Sequence, residues 1–164
     1  MARVTRHVRA SRDAVFDVLV RPETYPAWLA GCQEIRSVDA SWPDQGSQFH
    51  HRVGLIGPIT IPDSTAVLEI EPGRRLVLEV RARPLIRARA AFSLDDEPEE
   101  DGQPVTRITL DEVPVGPFAP LTPVLDPVIA GRNIVSLNAL VAYLNAPVGS
   151  RSDDRLRSAK ASPS

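Results

Sequence analysis

The chain has 164 residues, of which 43% are hydrophobic and 24% charged, with a formal net charge of −2 at pH 7. That size and apolar content predict one domain with a buried core. The small negative charge provides no basic field, so binding to nucleic acid or to an anionic membrane is not expected.

The start of the chain, MARVTRHVRAS, lacks the apolar stretch of a signal peptide. No apolar run reaches the roughly 20 residues that span a bilayer. We therefore expect a cytoplasmic protein without integral membrane association.

Cys32 is the only cysteine. It can form neither an internal disulfide nor a cysteine-based zinc cluster, and no HExxH or similar ligand spacing occurs. We expect no metal and no cofactor. Cys32 is interpreted as a small buried residue, with spatial proximity to His7 or His51 left open.

The N-terminal part predicts one strand followed by two short helices. Residues 3–9 alternate valine with polar neighbours, as in a half-buried strand. Ser11 is a candidate N-cap, and the apolar residues after it recur at helical spacing up to Pro22, which ends the helix. Residues 23–29 form a second short helix or a pair of turns.

The middle of the chain predicts an antiparallel meander, because glycine and proline separate apolar segments of strand length. The six predicted strands cover residues 35–40, 48–55, 59–70, 75–83, 86–94 and 105–113.

One hairpin can be given a register. A three-residue loop at 84–86 places one apolar face inside and pairs Ala82 with Ala88, Val80 with Ala90, Leu78 with Phe92 and Leu76 with Leu94. The opposite face then pairs Arg83 with Arg87 and Arg81 with Arg89. Side chains on the apolar face become smaller towards the tip, which favours a cavity there.

The last predicted element is a long apolar helix over residues 120–145. Its inward stripe is predicted to contain Leu121, Leu125, Val128, Val135, Ala139 and Ala142. Three prolines make the first turns irregular, so we expect a bend or a separate leading turn near Asp126. The domain then covers residues 1–146, followed by a disordered polar tail at 147–164.

This order of elements resembles the SRPBCC superfamily, which includes START-like and polyketide cyclase/dehydrase domains. The stretch VTRHVRASRDAVFDVLVRPETYPAWLAGCQEIRSVD resembles the entry strand, helix pair and second strand, and RNIVSLNALVAYL resembles the closing helix. The resemblance implies an α+β helix-grip fold, in which a curved antiparallel β-sheet wraps around a long C-terminal α-helix and encloses an apolar pocket. It carries over no universal catalytic residue.

His51 is the first candidate catalytic residue, because it shares strand parity with Phe49 and Val53 and should point inward. An inward imidazole can orient a ligand or act as an acid or base near neutral pH. The alternative is a core histidine bonded to the backbone or to Tyr143.

Arg132 and Glu112 are the other two candidates. Arg132 falls on the predicted inward stripe, where an unpaired guanidinium is costly. It can bind a ligand carboxylate or enolate, pair with Glu112 or Glu69, or extend to the cavity mouth. Glu112 continues the inward parity of the last strand, although strand twist leaves its exposure equally open.

Other candidates line the predicted pocket, and we expect Tyr25 and Trp28 to cover one edge of it. The predicted ligand-binding residues are Trp28, Phe49, Val53, Leu78, Val80, Ala90, Phe92, Ile108, Leu110, Val128, Val135 and Asn138. Asn133 and Asn138 lie one step off the predicted inward stripe and can each donate a hydrogen bond to a carbonyl. For Asn133 a solvated position is preferred, and the role of Asn138 is left open.

An arginine face consists of Arg74, Arg75, Arg81, Arg83, Arg87 and Arg89. It can meet an anionic partner such as an acyl carrier protein or a lipid headgroup, or it can be a solvated surface. The acidic segment 95–101, predicted to be the next connection, would offset its charge.

Three functions follow from these expectations. The first is binding of a hydrophobic or aromatic small molecule, polyketide-like or lipid-like, in the internal cavity. The second is a polyketide cyclase/dehydrase-type enzyme in which His51, Arg132 or Glu112 assists enolisation or dehydration. The third is a lipid or quinone carrier that docks through the arginine face. A homodimer is left open.

Overall fold

The computed structural model describes residues 1–56, 59–82 and 86–147. Its elements in chain order are β1 (Ala2–Val8), α1 (Arg12–Leu19), α2 (Tyr25–Trp28), β2 (Cys32–Val38), β3 (Gln48–Ile56), β4 (Ile59–Glu71), β5 (Arg75–Ala82), β6 (Ile86–Glu100), β7 (Gln103–Val115) and α3 (Thr122–Asn145). Short 3₁₀ turns precede α2 at Pro22–Thr24 and α3 at Gly116–Leu121.

The seven strands form one antiparallel sheet in the order β1-β7-β6-β5-β4-β3-β2. Strands β1 and β2 are its two edges, and α1 and α2 connect them. Helix α3 packs against β1, β7 and α2. The predicted α+β helix-grip fold, with two short helices after the first strand, is confirmed.

Local hydrogen bonds explain the two short helices. Ser11 is extended, and its hydroxyl accepts a hydrogen bond from the Ala14 amide at 3.2 Å, which begins α1 as predicted. The Tyr25 hydroxyl donates to the Leu19 carbonyl at 2.7 Å. The Trp28 indole donates to the Thr24 hydroxyl at 3.0 Å. Both large aromatics are therefore buried with their polar atoms satisfied.

The β5–β6 hairpin has the predicted apolar face but not the predicted register. The observed pairs include Leu76 with Phe92, Leu78 with Ala90, and Val80 with Ala88. Because Ala82 pairs with Ile86, the connection is 83–85, which lies outside the described residues. The observed register differs from the predicted one by two residues. Because two is an even number, the same face stays buried while every residue has a different partner.

The same shift changes the pairing on the arginine face. Arg81 lies opposite Arg87, and Arg89 lies opposite Glu79. The predicted pair of Arg81 with Arg89 is therefore wrong, and Arg83, the predicted partner of Arg87, lies outside the described residues. The observed register replaces one like-charge pair with an attractive one, which stabilises the hairpin.

The acidic segment 95–101 was predicted to be a connection, but β6 continues through it to Glu100. The turn lies at Asp101 and Gly102, whose φ angles are 52° and 73°. Ion pairs link most of its carboxylates to Arg9, Arg12 and Arg107. Among the described residues, no ion pair joins this segment to the arginine face, and the expected offset of charge stays a prediction.

The inward face predicted for α3 is also wrong. The buried residues of α3 are Asn133, Ser136, Leu137, Leu140 and Leu144. Val128 and Val135 are 71% and 58% exposed, so their side chains do not point into the protein. Helix α3 is apolar on most of its circumference, and periodicity alone therefore could not identify the face that packs.

The irregular backbone predicted near Asp126 lies earlier in the chain. A separate leading turn exists at Gly116–Leu121, ahead of the predicted position near Asp126. From Thr122 the helix is continuous, with Pro127 inside it.

By length and composition alone, Ala119–Asn145 is apolar enough to cross a membrane, with mean hydropathy 1.3. A core helix passes the same test, and the second half of α3 packs on the sheet.

Candidate functional site

A cavity of about 20 Å³ lies between α2, α3 and the sheet. It is lined by Tyr25, Trp28, Leu29, Thr65, Leu78, Val80, Ala90, Phe92, Leu110, Glu112, Arg132 and Asn133. A space of this volume holds about one water molecule.

The strand register forms the sheet wall of the cavity. Leu78 pairs with Ala90, and Ala90 pairs in turn with Glu112, so one row of neighbours crosses β5, β6 and β7. The next row contains Phe92 and Leu110. Cross-strand partners share a face, and Thr65 of β4 pairs with Val80 of β5. This wall is therefore apolar except for the Thr65 hydroxyl and the Glu112 carboxylate.

Aromatic residues close the opposite side. The ring centroid of Trp28 is 4.6 Å from that of Tyr25 and 6.1 Å from that of Phe92, the latter in an edge-to-face arrangement. Burial raises the pKa of the Tyr25 phenol above its usual range, and Cys32 adds to the effect. The phenol therefore stays neutral and acts as a hydrogen-bond donor.

Glu112 and Arg132 form an ion pair at the polar end of the cavity. Nη1 of Arg132 is 3.2 Å from Oε1 and 3.4 Å from Oε2 of Glu112. Nε of Arg132 also donates to the Ala30 carbonyl at 3.3 Å. Of the roles considered for Arg132, the structure therefore shows the pairing with Glu112. Each side chain of the pair compensates the charge of the other inside the protein.

Hydrogen bonds beside this ion pair also attach the loop after α2 to helix α3. The Ser136 hydroxyl accepts a hydrogen bond from the Ala30 amide at 3.0 Å and donates to the Arg132 carbonyl at 2.9 Å. With the Arg132 bond, both backbone groups of Ala30 are held by α3. This attachment positions Trp28 over the cavity.

Asn133 is the residue that sequence analysis misplaced most clearly. It was predicted to be solvated, but it is 1% exposed and lines the cavity. Within the described part of the chain its Nδ2 has no hydrogen-bond partner. Asn133 lies at helical spacing from Leu137, Leu140 and Leu144, but the sequence alone does not show that these residues form the packed face.

His51 lies on the inward face of the sheet but not among the residues that line the cavity. Its Nε2 is 3.4 Å from Oδ2 of Asp63, its partner across β3 and β4. Oδ1 of Asp63 accepts from the Arg81 amide at 3.1 Å. The partner of His51 is thus a carboxylate, rather than the backbone or Tyr143. Its catalytic role stays a prediction.

The cavity brings together eight of the predicted site residues, namely Trp28, Leu78, Val80, Ala90, Phe92, Leu110, Glu112 and Arg132. Phe49 and Ile108 are buried in the core instead. Asn138 accepts a hydrogen bond from Arg6 Nε at 2.7 Å. Val53, Val128 and Val135 also do not line the cavity. Leu29, Thr65 and Asn133 were missed.

Cys32 is buried, and burial raises the pKa of its thiol to about 12. The nearby charge of Asp63 raises that pKa further, and Arg132 opposes the shift. A thiol in this environment is a poor nucleophile. Across the described ranges, no group of three or more His, Cys, Asp or Glu residues is arranged to hold a metal ion.

The arginine face is paired locally. Arg74 lies 3.7 Å from Glu71, Arg75 lies 3.0 Å from Glu69, and Arg81 pairs with Glu79. Neighbouring glutamates therefore neutralise part of this surface.

A separate open cleft of about 370 Å³ crosses β2, β3 and β4 and is lined by Arg36, Ser37, His50, His51, Pro62, Asp63 and Ser64.

No protein-family model and no curated protein matches this chain. Solved structures do match over nearly all of the domain. A START superfamily protein from Mycobacterium smegmatis is 16% identical, with TM-score 0.64, covering 87% of this chain and 95% of that one. The Zhui aromatase/cyclase from Streptomyces sp. R1128 is 14% identical, with TM-score 0.62 and coverage of 87% and 92%.

A protein from Nitrosomonas europaea is 18% identical, with TM-score 0.64 and coverage of 87% and 92%. Such low identities carry the fold and not the activity. The chain therefore has the helix-grip fold of START and aromatase/cyclase structures, and the resemblance to the SRPBCC superfamily is confirmed at the level of the fold.

Proposed function

We propose that the protein binds a hydrophobic or aromatic small molecule, polyketide-like or lipid-like, in the cavity between the sheet and α3. The observation that carries this proposal is the composition of the cavity wall. Apolar side chains from α2 and three central strands surround a few polar groups, which are supplied by Glu112, Arg132, Asn133 and Thr65. Ligand sites combine apolar walls with a few directed polar groups in this way.

The cavity must enlarge to take such a ligand, because about 20 Å³ holds only about one water. The sheet wall is fixed by continuous ladders of backbone hydrogen bonds. Helix α2 has four residues, and the first half of α3 is largely exposed. Opening therefore occurs by movement of α2 and α3 away from the sheet, and its cost reduces the apparent affinity.

Native mass spectrometry after incubation with a panel of aromatic ketones and fatty acids tests the proposal. Ala90→Leu fills the cavity from the sheet side and should abolish bound ligand. Ala91→Leu places the same side chain on the opposite face of β6 and should leave binding intact. Equal ligand retention by both variants would place the site elsewhere, and the absence of any adduct from wild type would overturn the proposal.

A second candidate is a polyketide cyclase/dehydrase-type enzyme, favoured by the convergence of Glu112, Arg132 and Asn133 on one cavity. Such an enzyme would position a poly-β-keto chain and assist enolisation or dehydration. Both oxygens of the Glu112 carboxylate are in contact with Arg132, however, so a substrate would have to displace this contact before Glu112 could act on it. This pairing favours the binding function over the enzyme.

Incubation with a poly-β-keto thioester of N-acetylcysteamine separates the two candidates. An enzyme converts the thioester faster than buffer does, and Glu112→Gln removes the acceleration while the variant remains folded. Recovery of the unchanged thioester, bound stoichiometrically, supports a binding protein. The Ala91→Leu variant controls for nonspecific effects.

The lipid or quinone carrier is the weakest of the three candidates, since glutamates already pair with Arg74, Arg75 and Arg81. Salt-sensitive binding to anionic vesicles would support it.

The cytoplasmic location and the 1–146 domain boundary stay predictions. Whether the protein forms a homodimer stays open.

A further inference from the structure

We propose that Asn133 is the recognition residue of the cavity and that the ligand presents a neutral carbonyl oxygen, of a ketone or an amide, to its Nδ2. This inference rests on the proposed binding function and specifies the ligand class. Sequence analysis preferred a solvated position for Asn133 over donation to a carbonyl, and its burial at the cavity reverses that preference.

The first observation is the unsatisfied donor. Asn133 is 1% exposed, and its Nδ2 has no hydrogen-bond partner in the described part of the protein. Burial of a polar group without a partner is costly, and native structures keep few such groups. An amide nitrogen can only donate, so the missing partner is an acceptor atom. The cavity is the space in which that partner lies, because Asn133 lines it.

The second observation is the charge balance beside Asn133. Arg132 contacts both carboxylate oxygens of Glu112, so this end of the cavity contains one positive and one negative charge. Glu112 is almost completely buried. An anionic ligand would meet that carboxylate without a free cation to compensate it. The pairing therefore disfavours the carboxylate or enolate ligand that sequence analysis considered for Arg132.

The third observation is the apolar environment next to the amide. Trp28 and Phe92 meet edge to face at the cavity, and Leu110 pairs with Phe92 across the strands. A hydrocarbon or ring fits against these side chains, while only its oxygen reaches Asn133. Together, the three observations describe a neutral aryl or alkyl ketone or amide.

Three probes of similar shape test this recognition: acetophenone, which has a neutral carbonyl, ethylbenzene, which has no acceptor, and benzoate, which has an anionic one. Isothermal titration calorimetry gives the affinity of each. Wild type should bind acetophenone about tenfold more tightly than the other two, as expected for one neutral hydrogen bond in a dry site. Asn133→Leu preserves the side-chain shape and should remove the preference for acetophenone over ethylbenzene.

Asn145→Leu is the matched control, because Asn145 is an exposed asparagine at the end of the same helix. It should retain the wild-type preference. The inference is overturned, and the binding function kept, if wild type binds acetophenone and ethylbenzene equally or if benzoate binds most tightly. Equal binding would mean that a buried water satisfies Asn133. If no probe binds wild type at millimolar concentration while a member of the wider panel of aromatic ketones and fatty acids does, the inference alone is overturned. If nothing in that panel binds either, the proposed function is overturned as well.

Discussion

Arg132 and Glu112 are joined at 3.2 Å, yet the arginine side chain is 33% exposed and the glutamate side chain only 6%. The two side chains therefore differ in their access to solvent when the ion pair is broken. A guanidinium that reaches solvent can hydrate, whereas a buried carboxylate cannot. The pair connects α3 to β7 at the polar end of the cavity.

We predict that Arg132→Met destabilises the protein more than Glu112→Gln does. Stranding the buried carboxylate should cost about 3 kcal/mol, and loss of the Glu112 charge about half of that, because Arg132 is partly screened. Urea unfolding of the two single variants and of the double variant gives the coupling energy. A double variant that is less stable than Arg132→Met would contradict this account of the pair.

Asn133→Leu should stabilise the ligand-free protein by about 1 kcal/mol, because it removes an unsatisfied buried donor and preserves shape. Asn145→Leu, on the exposed end of the helix, should change the free energy of unfolding by less than about 0.5 kcal/mol. Thermal and urea unfolding measure both. A destabilised Asn133→Leu would show that Asn133 is satisfied in the free protein.

The packing face of α3 can be tested with two truncations on one helix. Leu140→Ala removes a fully buried side chain and should cost about 2–5 kcal/mol. Val128→Ala removes an exposed one and should cost less than about 0.5 kcal/mol. The inward stripe that the sequence predicted would require Val128→Ala to cost well over 1 kcal/mol, as expected for a core position.

Cys32 makes stability depend on alkaline pH. Its pKa is raised from 9.0 to about 12 in the folded protein, so the unfolded chain loses the thiol proton first as the pH rises. The stabilisation is complete below pH 9 and decreases above it. Between about pH 9 and 10.5, wild type should lose about 1–2 kcal/mol more than Cys32→Ala does.

Chemical denaturation of both proteins at each pH measures this difference. Rapid alkylation of native Cys32 by iodoacetamide at pH 8 would show that the thiol is accessible and would contradict the buried environment. Identical pH dependence of wild type and Cys32→Ala would contradict the raised pKa.

The order of elements was predictable because each has a local signal, such as the Ser11 cap or the alternating valines of β1. Partners across the sheet were not, since a shift of two residues leaves the same face of β5 buried. The inward face of α3 was not predictable either, because Val128 and Leu140 are equally apolar. What decides between them is the tertiary contact of α3 with β1 and β7.

The cavity lining was predictable where strand parity decides direction, as for Leu78 and Ala90. For Glu112, near the end of the last strand, parity left burial and exposure equally open. The lining was not predictable for Asn133, because a polar residue on an apolar helix is ordinarily solvated. The pairing of His51 with Asp63 depends on the register of β3 with β4, and no local pattern specifies that register.

The central claim is that a small molecule binds between the sheet and α3, and NMR with methyl-labelled protein tests it most directly. In a sample with acetophenone, we predict intermolecular NOEs from the ring protons to the methyl groups of Leu78, Val80 and Leu110, which line the cavity. Ala90→Leu should eliminate them. NOEs confined to the exposed methyl groups of Val124 and Val128, or none at all, would contradict the claim.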